Sequence, residues 1–326
     1  MKIGILVFTR KIRPEQEMTY ETRRLLEVVR ARGHQAEILF EPLFSFGFDS
    51  EQNPPLIPPW KGGRISYDGK PLGDFDVILA RGGISEEPSL HTITSDILKN
   101  AGHHVVNAAT TFSVSRNKLA QALLLNQKGI PQPRTIIVRH PNNVAAAAEQ
   151  LSYPVIIKVA FGTHGKGIFM AKDQETLQPI ADYLNIRDRN PVILQEFIKP
   201  NAIRDGLEKS SNGSLIRSDL RIFVVGNQII AAMQREATGS DFRSNAHQGA
   251  ECSLVELTDQ ERQIALDAAR AFDLDIAGVD LIRSDRGPLV LEVNSSPGFE
   301  SLEKATSVDV AEAIICFLES GTERIK

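Results

Sequence analysis

Asp280, Glu292 and Asn294, near the C-terminal end of the chain, have the types and spacing to hold a hard divalent cation. They lie in two runs of alternating apolar and polar residues joined by Ser284-Asp285-Arg286-Gly287. Such a pattern reads as a β-hairpin, and a three-residue loop with Gly287 in the left-handed conformation is a common way to close one. The resulting register sets Asp280 opposite Glu292 and gathers Val279, Leu281, Leu289, Leu291 and Val293 on the other face. A two-residue loop would set Asp280 opposite Leu291 and mix the faces, because a one-residue slip moves a whole apolar set. Glu292 and Asn294, two apart, point the same way as Asp280. Like charges facing each other across strands are destabilising, so two carboxylates and an amide oxygen on one face invite a cation. A few hard oxygen donors suit magnesium, which keeps several waters and bridges to phosphate. A merely solvated acidic face is the plain alternative.

A glycine-rich segment, Gly162-Thr-His-Gly165-Lys-Gly167, joins two apparent strands and follows Lys158. Glycines let a backbone approach phosphate closely and present its amide hydrogens. The spacing fits neither the dinucleotide fingerprint nor the P-loop, both of which need a helix after the glycines. Lys158 ends the strand that enters this segment, and Lys118 opens an earlier helix. Further on, Val192-Ile-Leu-Gln195-Glu196-Phe197-Ile198 is an extended segment whose backbone groups could read an adenine edge, with Phe197 and Ile198 beside it. An ordinary turn, solvated lysines and a plain core strand are the bland readings of these three features. Arg221, Arg235 and Arg243 supply fixed positive charge near strand ends, and arginine pairs bidentately with carboxylate or phosphate. The site reading is favoured for Arg221 and Arg243 over Arg235. Ser295-Ser-Pro-Gly298 follows the acidic strand as a turn with backbone donors. No histidine sits with a serine or cysteine in a nucleophile arrangement, so covalent hydrolase chemistry is unsupported.

The elements that must position these residues are legible in outline. Residues 3–8, 36–40 and 77–80 read as strands, with helices at 21–32 and 90–99, which suggests a parallel α/β layer. Between them, 41–73 is a proline- and aromatic-rich excursion with a hairpin near Tyr67-Asp68-Gly69-Lys70. A helix at 118–128 precedes a second unit, with strands at 135–138, 155–159, 168–171 and 192–198 and helices at 143–151 and 174–184. Strands at 220–225 and 228–234, a helix opened by the capping box Thr258-x-x-Glu261, the acidic hairpin and a helix near 308–318 complete the chain. With 326 residues it is long enough for two or three cores. A net charge of −4 gives no global attraction to nucleic acid or anionic lipid. No apolar run approaches the length of a membrane span, and residues 3–8 are too short for a signal-peptide core. Cys252 and Cys316 have no metal-ligand spacing. Cytoplasmic residence, with no membrane or direct nucleic-acid partner, is the expectation.

In order, these segments resemble the ATP-grasp superfamily, and within it the RimK-like carboxylate–amine ligases. The resemblance rests on Asn117-Lys118-Leu119, Ile157-Lys158 with the glycine segment, Leu194-Gln195-Glu196-Phe197-Ile198 and Asp219-Leu-Arg221. It continues through Asp241-Phe-Arg243-Ser-Asn245, Ala277-Gly-Val-Asp280 and Leu291-Glu292-Val-Asn294-Ser-Ser-Pro-Gly298. It runs from about residue 105 to the C-terminus and is looser before that. The resemblance implies an α/β (α+β) fold: an N-terminal parallel domain over 1–108, a central lid domain over 109–190 and a C-terminal antiparallel domain over 191–326. It implies ATP between two sheets, with Lys118 and Lys158 on phosphates and Gly162, Gly165 and Gly167 in a mobile lid. Gln195, Glu196, Phe197 and Ile198 would line the adenine pocket, with Asp219 near the ribose. Asp280, Glu292 and Asn294 would hold two magnesium or manganese ions, and Arg221, Arg243 and Asn245 would face phosphate, acyl phosphate or substrate carboxylate. The implied reaction forms an amide through an acyl phosphate, adding an amino acid such as glutamate to a peptide or protein carboxylate, in a homo-oligomer. Two segments depart from RimK itself, 200–217 by its length and 44–63 by its composition, and they leave the acceptor open. A ligase of small metabolites resembling glutathione synthetase, and a nucleotide-binding regulator without turnover, are the competing readings.

Overall fold

The computed structural model describes residues 1–9, 12–47, 65–81, 88–107, 109–160, 167–188, 191–199, 218–237 and 250–323. The N-terminal layer begins with β1 (Lys2–Val7), α1 (Tyr20–Ala31) and β2 (Gln35–Phe40). Leu25, Leu26, Val28 and Val29 of α1 are all buried, as their helical spacing requires, and Gly33 leaves the helix at φ 79°. A small antiparallel sheet of β3 (Phe44–Phe46), β4 (Ile65–Tyr67) and β5 (Lys70–Pro71) follows. Asp68 and Gly69 both have positive φ, so the β4–β5 connection is the tight hairpin turn expected there. Residues 48–64 of the excursion lie outside the described residues. Next come β6 (Val77–Arg81), α2 (Pro88–Asn100) and β7 (Val105–Val106), which complete a fully parallel sheet of order β2-β1-β6-β7.

The middle layer is entered through α3 (Ala109–Arg116) and α4 (Lys118–Gln127). It consists of β8 (Thr135–Val138), α5 (Val144–Leu151), β9 (Val155–Lys158), β10 (Ile168–Ala171), α6 (Gln174–Asp188) and β11 (Val192–Glu196). The strands form an antiparallel sheet of order β10-β9-β11-β8, with α5 and α6 packed on one face around Val155, Ile157 and Leu194. Because β11 hydrogen-bonds to both β8 and β9, a unit beginning at 191 would detach a central strand from its sheet.

The last layer contains β12 (Ser218–Val225), β13 (Gln228–Glu236), β14 (Glu251–Leu254), α7 (Asp259–Ala271), β15 (Ile276–Ser284), β16 (Gly287–Asn294), α8 (Glu300–Thr306) and α9 (Val310–Glu323). Its antiparallel sheet has the order β14-β13-β12-β15-β16. The capping box of Thr258 and Glu261 opens α7 as expected. One face of the sheet buries Ile222, Val224, Val279 and Leu281 against α7. The opposite face buries Phe223, Val225, Met233 and Ile276 in a core shared with α1, α9 and the N-terminal sheet.

The β15–β16 hairpin pairs Asp280 with Glu292, as the alternation demands. The route to that pairing differs from the expected three-residue loop. Ser284 pairs with Gly287, leaving Asp285 and Arg286 at a two-residue tip, with Gly287 left-handed at φ 94°. The ladder then shifts between Asp280 and Leu281, so Leu281 pairs with Val290 and Leu291 is bulged out. Val290, not Leu289 or Leu291, joins Val279, Leu281 and Val293 in the α7 core. Among the described residues no helix is long and apolar enough to cross a membrane.

Candidate active site between the middle and C-terminal sheets

Along one face of the C-terminal sheet, side chains change from apolar to charged. On β12, Phe223 and Val225 enter the shared core, while Arg221 and Asp219 continue the same face by twos. Met233 and Arg235 do the same on β13, and Ile276, Gly278 and Asp280 on β15. Glu292 and Asn294 extend this charged end onto β16, directly across from Asp280 and Gly278.

Asp280 is the hub of the cluster. Arg221, its partner across the β12–β15 ladder, donates from Nε to Oδ1 at 2.5 Å and from Nη2 to Oδ2 at 3.0 Å. Arg235 approaches Oδ2 with Nη2 at 3.2 Å. It also donates bidentately to Asp219, at 2.7 and 2.8 Å. Asn294 Nδ2 lies 3.5 Å from Asp280 Oδ2. Burial alone would raise the Asp280 pKa, but the Arg221 and Arg235 charges outweigh it and hold the carboxyl below its ordinary value. Asp280 is therefore held as a carboxylate whose charge is compensated by two guanidinium groups.

Glu292 is differently placed. Lys118 Nζ lies 3.4 Å from its Oε1, and its side chain is 29% exposed against 10% for Asp280. Glu292 and Lys118 border a cleft of about 320 Å³, counting its open mouth, together with Lys158, Ile193, Gln195 and Leu291. The two lysines, 40 positions apart in the chain, thus meet at one cavity. Lys158, Ile193 and Gln195 share one face of the middle sheet, in register across β9 and β11. Leu291 and Glu292 come from β16 on the opposing side.

Local sequence explains how the cleft is held. Asn117 caps α4 by accepting from Leu119 N at 3.0 Å and Ala120 N at 3.3 Å, which fixes Lys118 at the first helical position. The Lys118 amide donates to Ala160 O at 3.0 Å, tying the helix to the end of the β9 segment. Gln121, buried one turn later, accepts from Val293 N at 2.9 Å. Asn107 donates to Ile276 O and Ser295 O, both at 2.7 Å, and Ser115 donates to Ser295 Oγ at 2.7 Å. These buried polar groups dock α3 and α4 onto the metal-binding candidate strands, and of them sequence reading singled out Ser295 but not Asn107, Ser115 or Gln121.

The remaining expectations divide. Gly167 is required: its φ is 81°, and a Cβ there would lie 2.3 Å from Val159 Cγ2. Gly162, Gly165, Arg243 and Asn245 lie outside the described residues. Glu196 turns its side chain to the face away from the cleft, accepting from Arg134 N at 2.7 Å and Arg134 Nε at 2.9 Å and pairing with Arg286 at the hairpin tip. Burial opposes its charge, yet Arg134 and Arg286 keep its pKa below the ordinary value. Only its backbone can face a ligand. Phe197 and Ile198 follow β11 half-buried and do not border the cleft described here. Asp219 is engaged by Arg235 beside Asp280. Arg235, ranked below Arg221 and Arg243 on sequence, is 5% exposed and central, because β13 continues through Glu236.

The donor set fits a divalent ion. Two carboxylates and an amide from neighbouring strands share a face and offer hard oxygen donors, while among the described residues no group of three or more histidines, cysteines or carboxylates could hold a metal.

The chain is similar to several known proteins. The model of the RimK-like ATP-grasp domain matches residues 115–318. A probable alpha-L-glutamate ligase of Aliivibrio fischeri is 36% identical over 329 aligned positions, covering 100% of this chain and 98% of that protein. Another, from Pseudoalteromonas atlantica, is 37% identical over 322 positions, covering 98% and 95%. A RimK-domain ATP-grasp protein from Sphaerobacter thermophilus has the same fold at TM-score 0.67 and 22% identity, covering 96% of this chain and 98% of its own. The ATP-grasp ligase PsnB, solved with a minimal precursor, matches at TM-score 0.70 and 19% identity, covering 97% and 98%. The chain belongs to the RimK-like ATP-grasp family and is an ATP-dependent carboxylate–amine ligase.

Proposed function

We propose that this ligase adds glutamate to the carboxylate of a peptide or protein. The relatives named as probable alpha-L-glutamate ligases support the amino acid. Like folds solved with peptides, PsnB with its precursor and the macrocyclase MdnC with MdnA, support a peptide acceptor. The observation that carries the reading is the meeting of Lys118, Lys158 and Glu292 at one cleft beside Asp280 and Asn294.

In this reading Lys118 and Lys158 bind the ATP phosphates, and Gln195 and the β11 backbone orient the adenine against Leu291. Gly162, Gly165 and Gly167 cover the phosphates, and Asp219 lies near the ribose. Asp280, Glu292 and Asn294 would hold magnesium or manganese, two ions rather than one. Such ions supply charge neutralisation on the phosphates during phosphoryl transfer. Arg221, Arg243 and Asn245 orient the reacting carboxylate and stabilise the acyl phosphate formed when a carboxylate oxygen attacks the γ-phosphorus, the bond to the β,γ-bridging oxygen breaks and ADP leaves. The glutamate amine then attacks the acyl carbon, giving the amide and phosphate. Walls from two sheets keep water from the intermediate. Three units, with the middle one extended through Glu196, a homo-oligomeric assembly and cytoplasmic residence complete the reading.

ADP release with ATP, magnesium and a panel of acids and amines, followed by product mass spectrometry with labelled glutamate, tests it. Glutamate-dependent ADP release and peptides heavier by one or more glutamyl residues are expected. ADP at the level of the protein-free control across the panel would sink the ligase mechanism, and an amide product lacking glutamate would sink the choice of amino acid.

A further inference from the structure

Both oxygens of Asp280 are already taken. Arg221 holds Oδ1 at 2.5 Å and Oδ2 at 3.0 Å, and Arg235 reaches Oδ2 at 3.2 Å. A divalent ion joining these two guanidinium groups would put three positive centres around one carboxylate, where they repel one another at close range. One arginine must give way.

The two arginines are not equivalent. Arg235 is anchored elsewhere, by two hydrogen bonds to Asp219, and its side chain is 6% exposed. It offers Asp280 one longer contact and would keep its charge compensated without it. Arg221 gives both of its hydrogen bonds among the described residues to Asp280, and its side chain is 13% exposed. Its flexible stem lets the guanidinium move while its Cα stays in the ladder.

We propose that Arg221 is a displaceable counter-ion: it occupies Asp280 while the metal is absent and leaves when a divalent ion arrives, whereas Arg235 stays as the fixed positioning residue. The inference rests on the metal reading above. It makes metal loading and the delivery of a cation toward the phosphates a single exchange. The site never holds Asp280 uncompensated, which a buried carboxylate would not tolerate cheaply. It also excludes the state in which Arg221 is deployed and the metal missing.

Mn²⁺ binding to the full chain without nucleotide, read from the EPR signal of the free ion, tests the exchange. Arg221→Ala is expected to bind Mn²⁺ about tenfold tighter than the parent, because a competing charge at contact distance is gone. Equal or weaker binding overturns the proposal. Asp280→Asn separates this from the metal reading itself: if that variant binds Mn²⁺ as the parent does, the ligand assignment fails. A measurement on the parent stands even where a variant folds poorly. With isotope-labelled arginine, the Nε–H resonance of Arg221, assigned through Arg221→Lys, should move during Mg²⁺ titration while that of Arg235 holds. An Arg221 resonance that holds at saturating Mg²⁺ also overturns it.

Discussion

At the scale of single residues, the two carboxylates of the site are held with unequal force. Asp280 is buried under two guanidinium groups, whereas Glu292 is partly exposed, with Lys118 at 3.4 Å and the charge of Arg116 nearby. The pair is long and partly buried, its side chains 11% and 29% exposed, and it contributes ~1 kcal/mol to stability. Glu292→Gln should therefore cut ADP release by roughly 10²-fold or more, on the scale of losing one group that stabilises charge in the transition state. Its urea midpoint should stay close to the parent's, and near-parental turnover would remove Glu292 from the chemistry. The alternation that placed Asp280, Glu292 and Asn294 on one face was legible because polar and apolar residues alternate over 279–281 and 291–294. The bulge was not, since Leu289, Val290 and Leu291 are all apolar and hydropathy cannot say which points inward. Arg235 was underrated because its role depends on a third strand, which no local spacing reveals.

At the scale of elements, the strands and helices that carry the cleft follow from period and caps: α4 from Asn117, α7 from its capping box, and the β4–β5 turn from Asp68-Gly69. What escaped were pieces with little internal signal. β14 is four residues of a mostly exposed edge strand without alternation, and α8 is a two-turn helix whose start has no side-chain cap. One close approach joins β15 to the turn after β16. A Cβ on Gly278 would lie 2.6 Å from Pro297 Cβ. Gly278→Ala must push the 295–298 turn away from Asn294 and from Arg81, whose Nη2 donates to Pro297 O at 2.9 Å. Overpacking of this kind costs ~1–3 kcal/mol, so a lowered thermal midpoint and weakened Mn²⁺ binding are expected together. An unshifted midpoint would mean that the turn yields freely.

At the scale of the whole molecule, the C-terminal helices clasp the first helix of the chain. Arg32 donates to both oxygens of Glu319, at 2.9 and 2.7 Å, and His34 Nε2 lies 2.6 Å from the same carboxylate. The Arg32 hydrogen bonds, aided by His34, pull the Glu319 pKa from its ordinary 4.5 down to about 2. A depressed carboxyl stabilises the fold above its unfolded pKa, and the benefit fades as pH falls through the folded value. Glu319→Gln should thus be less stable than the parent at neutral pH, with the gap closing between pH 4.5 and about 2. Urea midpoints for both proteins down that range measure it, and a constant gap would show that the carboxylate charge is not what matters. Sequence reading could see neither clasp nor charge coupling, because the partners come from opposite ends of the chain.

The hairpin would still zip correctly if Leu291 were deleted. Val290 would keep its place opposite Leu281, and the acid after it would still face Asp280. The surplus leucine is idle as far as ladder and core are concerned. What it changes is the neighbouring cavity, where consecutive positions now offer a greasy surface and an anionic oxygen side by side, a juxtaposition that an evenly pleated strand would have split between its two sides.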